Sequence, residues 1–236
     1  MPAEGPFIDH HPPAAEGFLF MVDKRAVIFA NGTLPDAEVA RHLVRPEDFL
    51  IAADGGCRHA LACGRTPDVL IGDFDSIDEP LRESLRRRGV KILPFPPDKD
   101  ETDLELAVTF ALRERHSQIL IIGGLGGRTD QILANLSLLA NPAWSGADIR
   151  IDDGCEEVFR VGIDTILQGT AGDVVSLLSL GIPAEGVRTE GLRYPLRGET
   201  LFPFRTRGVS NRMLSDAATI SVGKGVLLCI HTRLAH

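Results

Sequence analysis

Short apolar runs recur along the chain, each broken off by a polar or glycine-rich turn and followed by residues spaced for a helix. Ala26 to Ala30 is closed by Asn31-Gly32, and Asp36 to Val44 then carries helical spacing. Phe49 to Ala53 ends at Asp54-Gly55-Gly56, after which Cys57 to Cys63 reads as a short helix closed by Gly64. Val69 to Gly72 is a third strand, Glu79 to Arg88 a helix stopped by Gly89, and Val90 to Leu93 a fourth strand running into Pro94-Phe95-Pro96-Pro97. Thr102-Asp103-Leu104-Glu105 has the T-x-x-E form of a capping box and predicts a helix from Asp103 to Arg115 with Leu104, Ala107, Val108 and Ala111 on its inner stripe. Gln118 to Ile122 is a fifth strand, followed by the glycine-rich stretch Gly123 to Gly127 and a helix from Thr129 to Ala140. Alternation of this kind predicts a mainly parallel α/β domain whose ligands sit beyond the carboxyl ends of the strands.

The texture changes after Asn141-Pro142. Residues 143–148 read as a linker, and helical periodicity disappears beyond them. Ile149 to Ile151, Glu157 to Val161, Thr165 to Leu167, Asp173 to Leu180, Ala217 to Val222 and Val226 to His231 are short strand candidates separated by Gly, Pro and Asp turns. The expected fold class is therefore α/β: an N-terminal mainly parallel α/β domain followed by a smaller all-β sandwich domain. The expected boundaries are a flexible leader at 1–17, rich in Pro, Ala, Glu and His, a nucleotide-binding catalytic domain at 18–146 and a β-sandwich at 147–236. The Pro/Gly-rich interval from Gly191 to Gly208 carries no assignment.

Composition narrows the partners. At 236 residues and 44% hydrophobic the chain can bury a sizeable core. A net charge of −8, with no long Lys or Arg run, argues against general nucleic-acid or membrane-surface binding. No run approaches the roughly 20 apolar residues of a membrane span. The four cysteines include no CxxC pair and are expected as reduced thiols, which points to a cytoplasmic setting. The seven histidines include no HExxH and are expected to be structural or surface residues.

The candidate chemistry lies in the turns. Val69 to Gly72 breaks off into Asp73-Phe74-Asp75-Ser76, and in an extended chain Asp73 and Asp75 share a face, an arrangement suited to Mg²⁺, which takes oxygen ligands. Asp54-Gly55-Gly56, Asp98-Lys99-Asp100-Glu101-Thr102-Asp103 and Gly126-Gly127-Arg128-Thr129-Asp130 also follow predicted strands, so one sheet edge collects them all. Converging aspartates repel one another unless a cation shares the site, and Mg²⁺ with a polyphosphate resolves that cost, which points to a nucleoside triphosphate. Glycines let the backbone approach phosphate, and Arg128 offers a bidentate fork. Neither the P-loop nor the complete dinucleotide fingerprint is present.

These motifs, in this order and spacing, resemble the thiamine pyrophosphokinase family. The resemblance covers roughly Ala26 to the C-terminus and implies a catalytic α/β domain, a β-sandwich that helps to bind thiamine, and a homodimer. The implied reaction moves a pyrophosphoryl group from ATP to the hydroxyethyl oxygen of thiamine. By the same resemblance Asp73, Asp75 and Asp100 hold the metal and position the hydroxyl, with Arg128 joining them as catalytic and Lys99 stabilising displaced or transferred oxygens. Asp54, Gly55, Gly56, Ser76, Asp98, Lys99, Thr102, Asp103, Gly126, Gly127, Asp130 and Gln131 form the expected ATP side. The Val209-Ser210-Asn211 and Gly191-Leu192-Arg193-Tyr194 stretches resemble thiamine-side elements, which makes Tyr194, Ser210 and Asn211 the expected substrate contacts. Gln131 departs from the family pattern, which has histidine there; an amide carries no titrating proton near neutrality. Two other classes stay open on the residues alone: a Mg²⁺-dependent nucleotide phosphohydrolase and a non-enzymatic nucleotide-sensing module.

Overall fold

Continuous apolar runs fold here as strands covered on both faces. In the computed structural model, which describes residues 25–234, the expected leader at 1–17 lies outside the described residues. β1 (Ala26–Phe29), β2 (Phe49–Ala53), β3 (Val69–Gly72), β4 (Lys91–Pro94), β5 (Gln118–Ile122) and β6 (Asp148–Asp152) are parallel neighbours in the order β6-β5-β1-β2-β3-β4. The helices α1 (Ala37–Arg41), α2 (Cys57–Ala62), α3 (Glu79–Arg87), α4 (Asp103–Arg113) and α5 (Thr129–Leu138) connect them in turn.

Alternate residues of each strand serve opposite layers. Ile28, Ile51, Ile71 and Ile121 pack with Leu104, Ala107, Val108 and Ala111, the stripe expected on α4. Val27, Phe29, Leu50 and Ile122 instead meet Ala40 of α1, Ala60 of α2 and Cys63 just beyond it. Asp78 caps α3 through the Leu81 amide at 2.8 Å, and Thr102 Oγ1 caps α4 through the Glu105 amide at 3.2 Å, so the threonine half of the expected capping box forms.

The chain lays down β1 to β4 in one direction and then returns to place β5 on the other side of β1. That reversal is a topological switch point, where the loops leaving β1 and β5 part and open a crevice.

The sheet does not break near residue 146. β5 pairs with β6, and β7 (Glu156–Arg160), β14 (Leu227–Thr232), β9 (Val174–Ser179) and β12 (Asn211–Arg212) extend the same sheet to ten strands through antiparallel pairing. The stretch read as a linker holds a short 3-10 turn, Pro142–Trp144, whose Trp144 is buried in the main core. A four-stranded antiparallel sheet, β11-β10-β13-β8, covers the far half; its strands are β8 (Thr165–Gln168), β10 (Ala184–Glu190), β11 (Arg197–Leu201) and β13 (Ala217–Ser221). Phe159, Val175, Leu177 and Cys229 of the long sheet meet Leu167, Val187, Leu201 and Ile220 of the short one. The sandwich therefore takes one layer from the sheet that also carries the α/β half. Apolar runs did not reveal β10, β11 or β12. β10 alternates polar and apolar residues and shifts register along its pairing with β11, with Gly186 at φ 68.

An ionic seam ties the last strand to its neighbours. His231 is fully buried, with Nε2 2.9 Å from Asp173 Oδ2 and Nδ1 3.9 Å from Glu157 Oε2, too far for a hydrogen bond. Arg233 forks onto Asp152 at 2.8 and 2.7 Å. Burial pushes the His231 pKa down, but Glu157 and Asp173 outweigh it and hold the pKa above its ordinary 6.5. Burial pushes Glu157 and Asp173 up, yet hydrogen bonds outweigh it and hold both below their ordinary 4.5 and 3.8.

A raised histidine pKa contributes stability that is complete below 6.5 and lost as pH rises through the folded-state value. Depressed carboxylate pKa values contribute above 4.5 and 3.8 and lose that contribution as pH falls. Thermal melts of His231→Gln against the parent chain should therefore differ most between pH 4.5 and 6.5 and converge in mildly alkaline buffer. A gap of constant size from pH 4.5 into mildly alkaline buffer would mean that folding leaves the His231 pKa unshifted.

Candidate active site

Five loops at the carboxyl edge of the parallel strands enclose a cavity of about 520 Å³. The loop after β1 is fastened to the loop after β5: Ala30 N donates to Ile122 O at 2.8 Å and Gly32 N to Gly123 O at 2.9 Å. No side chain fits between them, since a Cβ on Gly32 would lie 2.4 Å from Gly123 O. His59 of α2 holds the Gly32 carbonyl at 2.7 Å, and buried Asn135 of α5 donates to Gly124 O at 2.9 Å.

Asp54 follows β2 with φ 45, a conformation a non-glycine residue adopts only where surrounding structure enforces it. The residue is 4% exposed and its buried Oδ1 has no hydrogen-bond partner. Close packing requires the glycines that follow: a Cβ on Gly56 would stand 1.9 Å from Phe29 O. Asp73 leaves β3 just before Phe74, which turns at φ 66 and buries its ring in the core. Asp103 opens α4. Carboxylate oxygens of Asp54, Asp73 and Asp103 lie within 4.8 Å of one another, and Lys99 Nζ stands 3.1 Å from Asp103 Oδ1 and 3.7 Å from Asp73 Oδ2. Burial raises the Asp103 pKa, Lys99 opposes the rise, and Asp73 and Asp54 add to it. A pocket of oxygen ligands in which Asp54 Oδ1 has no partner and Asp103 Oδ1 only the Lys99 ion pair fits a hard divalent cation such as Mg²⁺.

This trio differs from the expected metal set of Asp73, Asp75 and Asp100, retaining only Asp73. The extended-chain premise stops at Gly72, where β3 ends. Beyond it the chain turns, so Asp75 sits on the cavity wall, its amide bonded to Asp73 Oδ1 at 3.1 Å and its Oδ1 accepting from Ser76 at 3.0 Å. Asp98 and Asp100 are exposed on the loop before α4 and do not line the cavity, whereas the first turn of α4 carries Asp103 inward. Lys99 between them points in at the carboxylates.

Of the residues expected on the ATP side, Thr102, Asp103, Gly126, Gly127, Gln131 and Ser76 line the cavity, as does Arg128. Arg128 is engaged in the open: its Nε and Nη2 fork onto Asp130 at 3.1 and 2.6 Å, both side chains being exposed. The exposed side chain of Asp130 thus serves Arg128. Sequence reading passed over Asn31, Thr33 and Asn135, which also line the cavity. The missed signal was positional: Asn31-Gly32 closes β1, and every parallel strand delivers its carboxyl end to this edge. Asn31 Nδ2 reaches Ser76 Oγ at 3.3 Å.

Tyr194, Ser210 and Asn211 lie together in the second half, away from this cavity lining. Asn211 is buried, accepting from Tyr194 N at 2.9 Å and donating to Tyr194 O at 2.7 Å. Its amide therefore fixes the backbone of Tyr194. The Tyr194 ring is exposed, with the Arg193 guanidinium 5.6 Å from its centroid, and Ser210 is exposed at φ 60.

Two family models cover most of the described chain: the thiamin pyrophosphokinase catalytic domain matches residues 40–160 and the thiamin pyrophosphokinase vitamin B1 binding domain residues 161–227. Thiamine pyrophosphokinase of Bacillus subtilis is 29% identical over 77% of this chain and 86% of its own. Thiamine pyrophosphokinase 1 of Oryza sativa is 31% identical over 71% of this chain and 67% of its own. The crystal structure of the Bacillus subtilis thiamine pyrophosphokinase superposes with a TM-score of 0.79 at 26% identity, covering 90% of this chain and 100% of that one.

Asn135→Ala should lower stability by about 1–3 kcal/mol, because the Gly124 carbonyl loses its buried donor. Leu133→Ala, on the exposed face of the same helix, should change it little. Urea midpoints measure both; equal midpoints for the two variants would mean that Asn135 does not restrain the glycine loop.

Proposed function

As the chain belongs to the thiamine pyrophosphokinase family, enzymes that transfer a pyrophosphoryl group from ATP to thiamine, we propose that ATP lies in the cavity at the switch point. The observation that carries this reading is the convergence of Asp54, Asp73 and Asp103 beside a glycine loop and Arg128. Asp54, Asp73 and Asp103 would hold Mg²⁺, which when bound supplies charge neutralisation for the polyphosphate. The β5 loop at Gly126 and Gly127 gives the phosphates room close to the backbone. Arg128 reaches them by exchanging Asp130 for a phosphate oxygen, and Lys99 keeps the trio partly neutral between turnovers. In the reaction the thiamine hydroxyl oxygen bonds to the β-phosphorus as its O–H bond breaks and the proton passes to solvent, the bond from that phosphorus to the α,β-bridging oxygen breaks, and AMP leaves with the bridging oxygen. Holding these atoms in line is the main task of the residues. Gln131 supports this as a hydrogen-bonding wall. The family match favours transfer over the hydrolytic and the non-catalytic readings.

Thiamine approaches from the sandwich side. Tyr194 offers an aromatic face to its thiazolium cation, with Asn211 positioning the Tyr194 backbone and Ser210 at the rim. Tyr194, Phe202, Phe204, Val209 and Leu214 are exposed apolar side chains on this stretch, which supports a homodimer whose second copy covers them. The two halves share a continuous sheet in which β6 pairs with β5, which supports counting β6 with the catalytic unit. No helix among the described residues is long and apolar enough to cross a membrane, and the four free cysteines accord with a reducing, cytoplasmic setting.

The test is formation of AMP and thiamine diphosphate from ATP, Mg²⁺ and thiamine. Asp54→Asn and Asp103→Asn should each lose about 10²-fold or more in kcat, the scale of removing one preorganised electrostatic group. Asp100→Asn should stay within a few-fold of the parent. A spared Asp54→Asn together with a crippled Asp100→Asn would return the metal role to the loop before α4.

A further inference from the structure

A second cavity, of about 480 Å³, opens at the opposite edge of the sheet, where β6 begins and β7 ends. It shares no lining residue with the catalytic cavity. Three cations line it: Arg150, Arg160 and Lys224. Arg150 is already neutralised, its Nε 2.9 Å from Asp148 Oδ1 and its Nη1 2.9 Å from Glu157 Oε1, while its guanidinium lies 4.4 Å from the Phe159 ring centroid. Arg160 is different. Its Nη1 is buried and has no hydrogen-bond partner. Lys224 is exposed at the rim, and no ion pair or hydrogen bond engages its ammonium among the described residues.

Arg160 as a whole is half-buried, but a buried guanidinium nitrogen without an acceptor is costly, and the catalytic reading gives Arg160 no task. The two uncompensated cations match a dianion. Val161, Ile163 and Val222 add an apolar side to the same cavity, and Ile163 is among the most exposed large hydrophobic side chains of the chain at 82%. We propose that this cavity binds the phosphate group of a small phosphate monoester with an apolar body, Arg160 and Lys224 holding the oxygens and Ile163 and Val222 covering the body. The glycines nearby do not define the site: Gly225 is required by the approach of Pro183 O, 2.3 Å from where its Cβ would stand.

Calorimetric titration of the full chain with phenyl phosphate tests the assignment. Saturable binding is expected, tighter than that of inorganic phosphate, and weakened about tenfold or more in both Arg160→Gln and Lys224→Gln, the scale of one charge-assisted hydrogen bond. Lys224 is exposed, so its variant keeps the test valid should Arg160→Gln fold poorly. Arg128→Gln, in the catalytic cavity, should bind phenyl phosphate as the parent does. Absence of saturable binding, or a loss confined to Arg128→Gln, would overturn the proposal. Equal affinity for inorganic phosphate would overturn the organic ester and leave free phosphate as the occupant.

Discussion

Pairing of β1 with β5 is the constraint on which both halves of this molecule depend. It reverses the direction of sheet growth and so opens the crevice in which the polar loops meet. The same step leaves the outer edge of β5 free to accept β6, through which the sheet passes into the sandwich. Site and domain junction are thus two consequences of one strand placement. The backbone bond from Gly32 to Gly123, with no room for a side chain, pins that placement at its carboxyl end.

The site carries an electrostatic cost that the fold tolerates. Like charges at separations near 4.8 Å repel by on the order of 3 kcal/mol per pair at an effective dielectric of about 20. Lys99 offsets part of this, and Asp103, its pKa raised chiefly by burial, is pushed further the same way by Asp73 and Asp54. The rest of the site is built to prevent the carboxylates from separating. Asp54 is locked by the packing of Gly56 against β1, Asp73 by the buried Phe74 ring and Asp103 by the first turn of α4. Binding of a metal and polyphosphate would then draw on repulsion already present, with little reorganisation of the protein.

At the far side the charges follow a different rule. His231, Glu157, Asp173, Arg233, Asp152 and Arg150 alternate in sign, and nearly every one has a partner in hydrogen-bonding distance. That seam joins strands distant in sequence, from β6 to β14, where aliphatic packing alone would leave their register less specified. Arg160 stands out against it, with a buried, unpartnered nitrogen at the opposite edge of the sheet from the carboxylate cavity.

Local periodicity by itself determined the strands and helices of the first half, with β2, β3 and β5 expected at their observed limits. It also identified most of the cavity wall, because strand ends are local features and a parallel sheet sends its carboxyl ends to one edge. Which carboxylates converge was a tertiary matter. Asp100 and Asp103 are three residues apart, yet only Asp103 begins a helix aimed at the site, and Asp75 was drawn aside by the turn at Phe74. β10 to β12 were likewise hidden, since half-exposed strands with bulges lack an apolar run and are defined by pairing with distant partners. The continuity of the sheet past residue 146 depended on the free edge of β5, a long-range hydrogen-bonding opportunity that leaves no mark in the residues on either side.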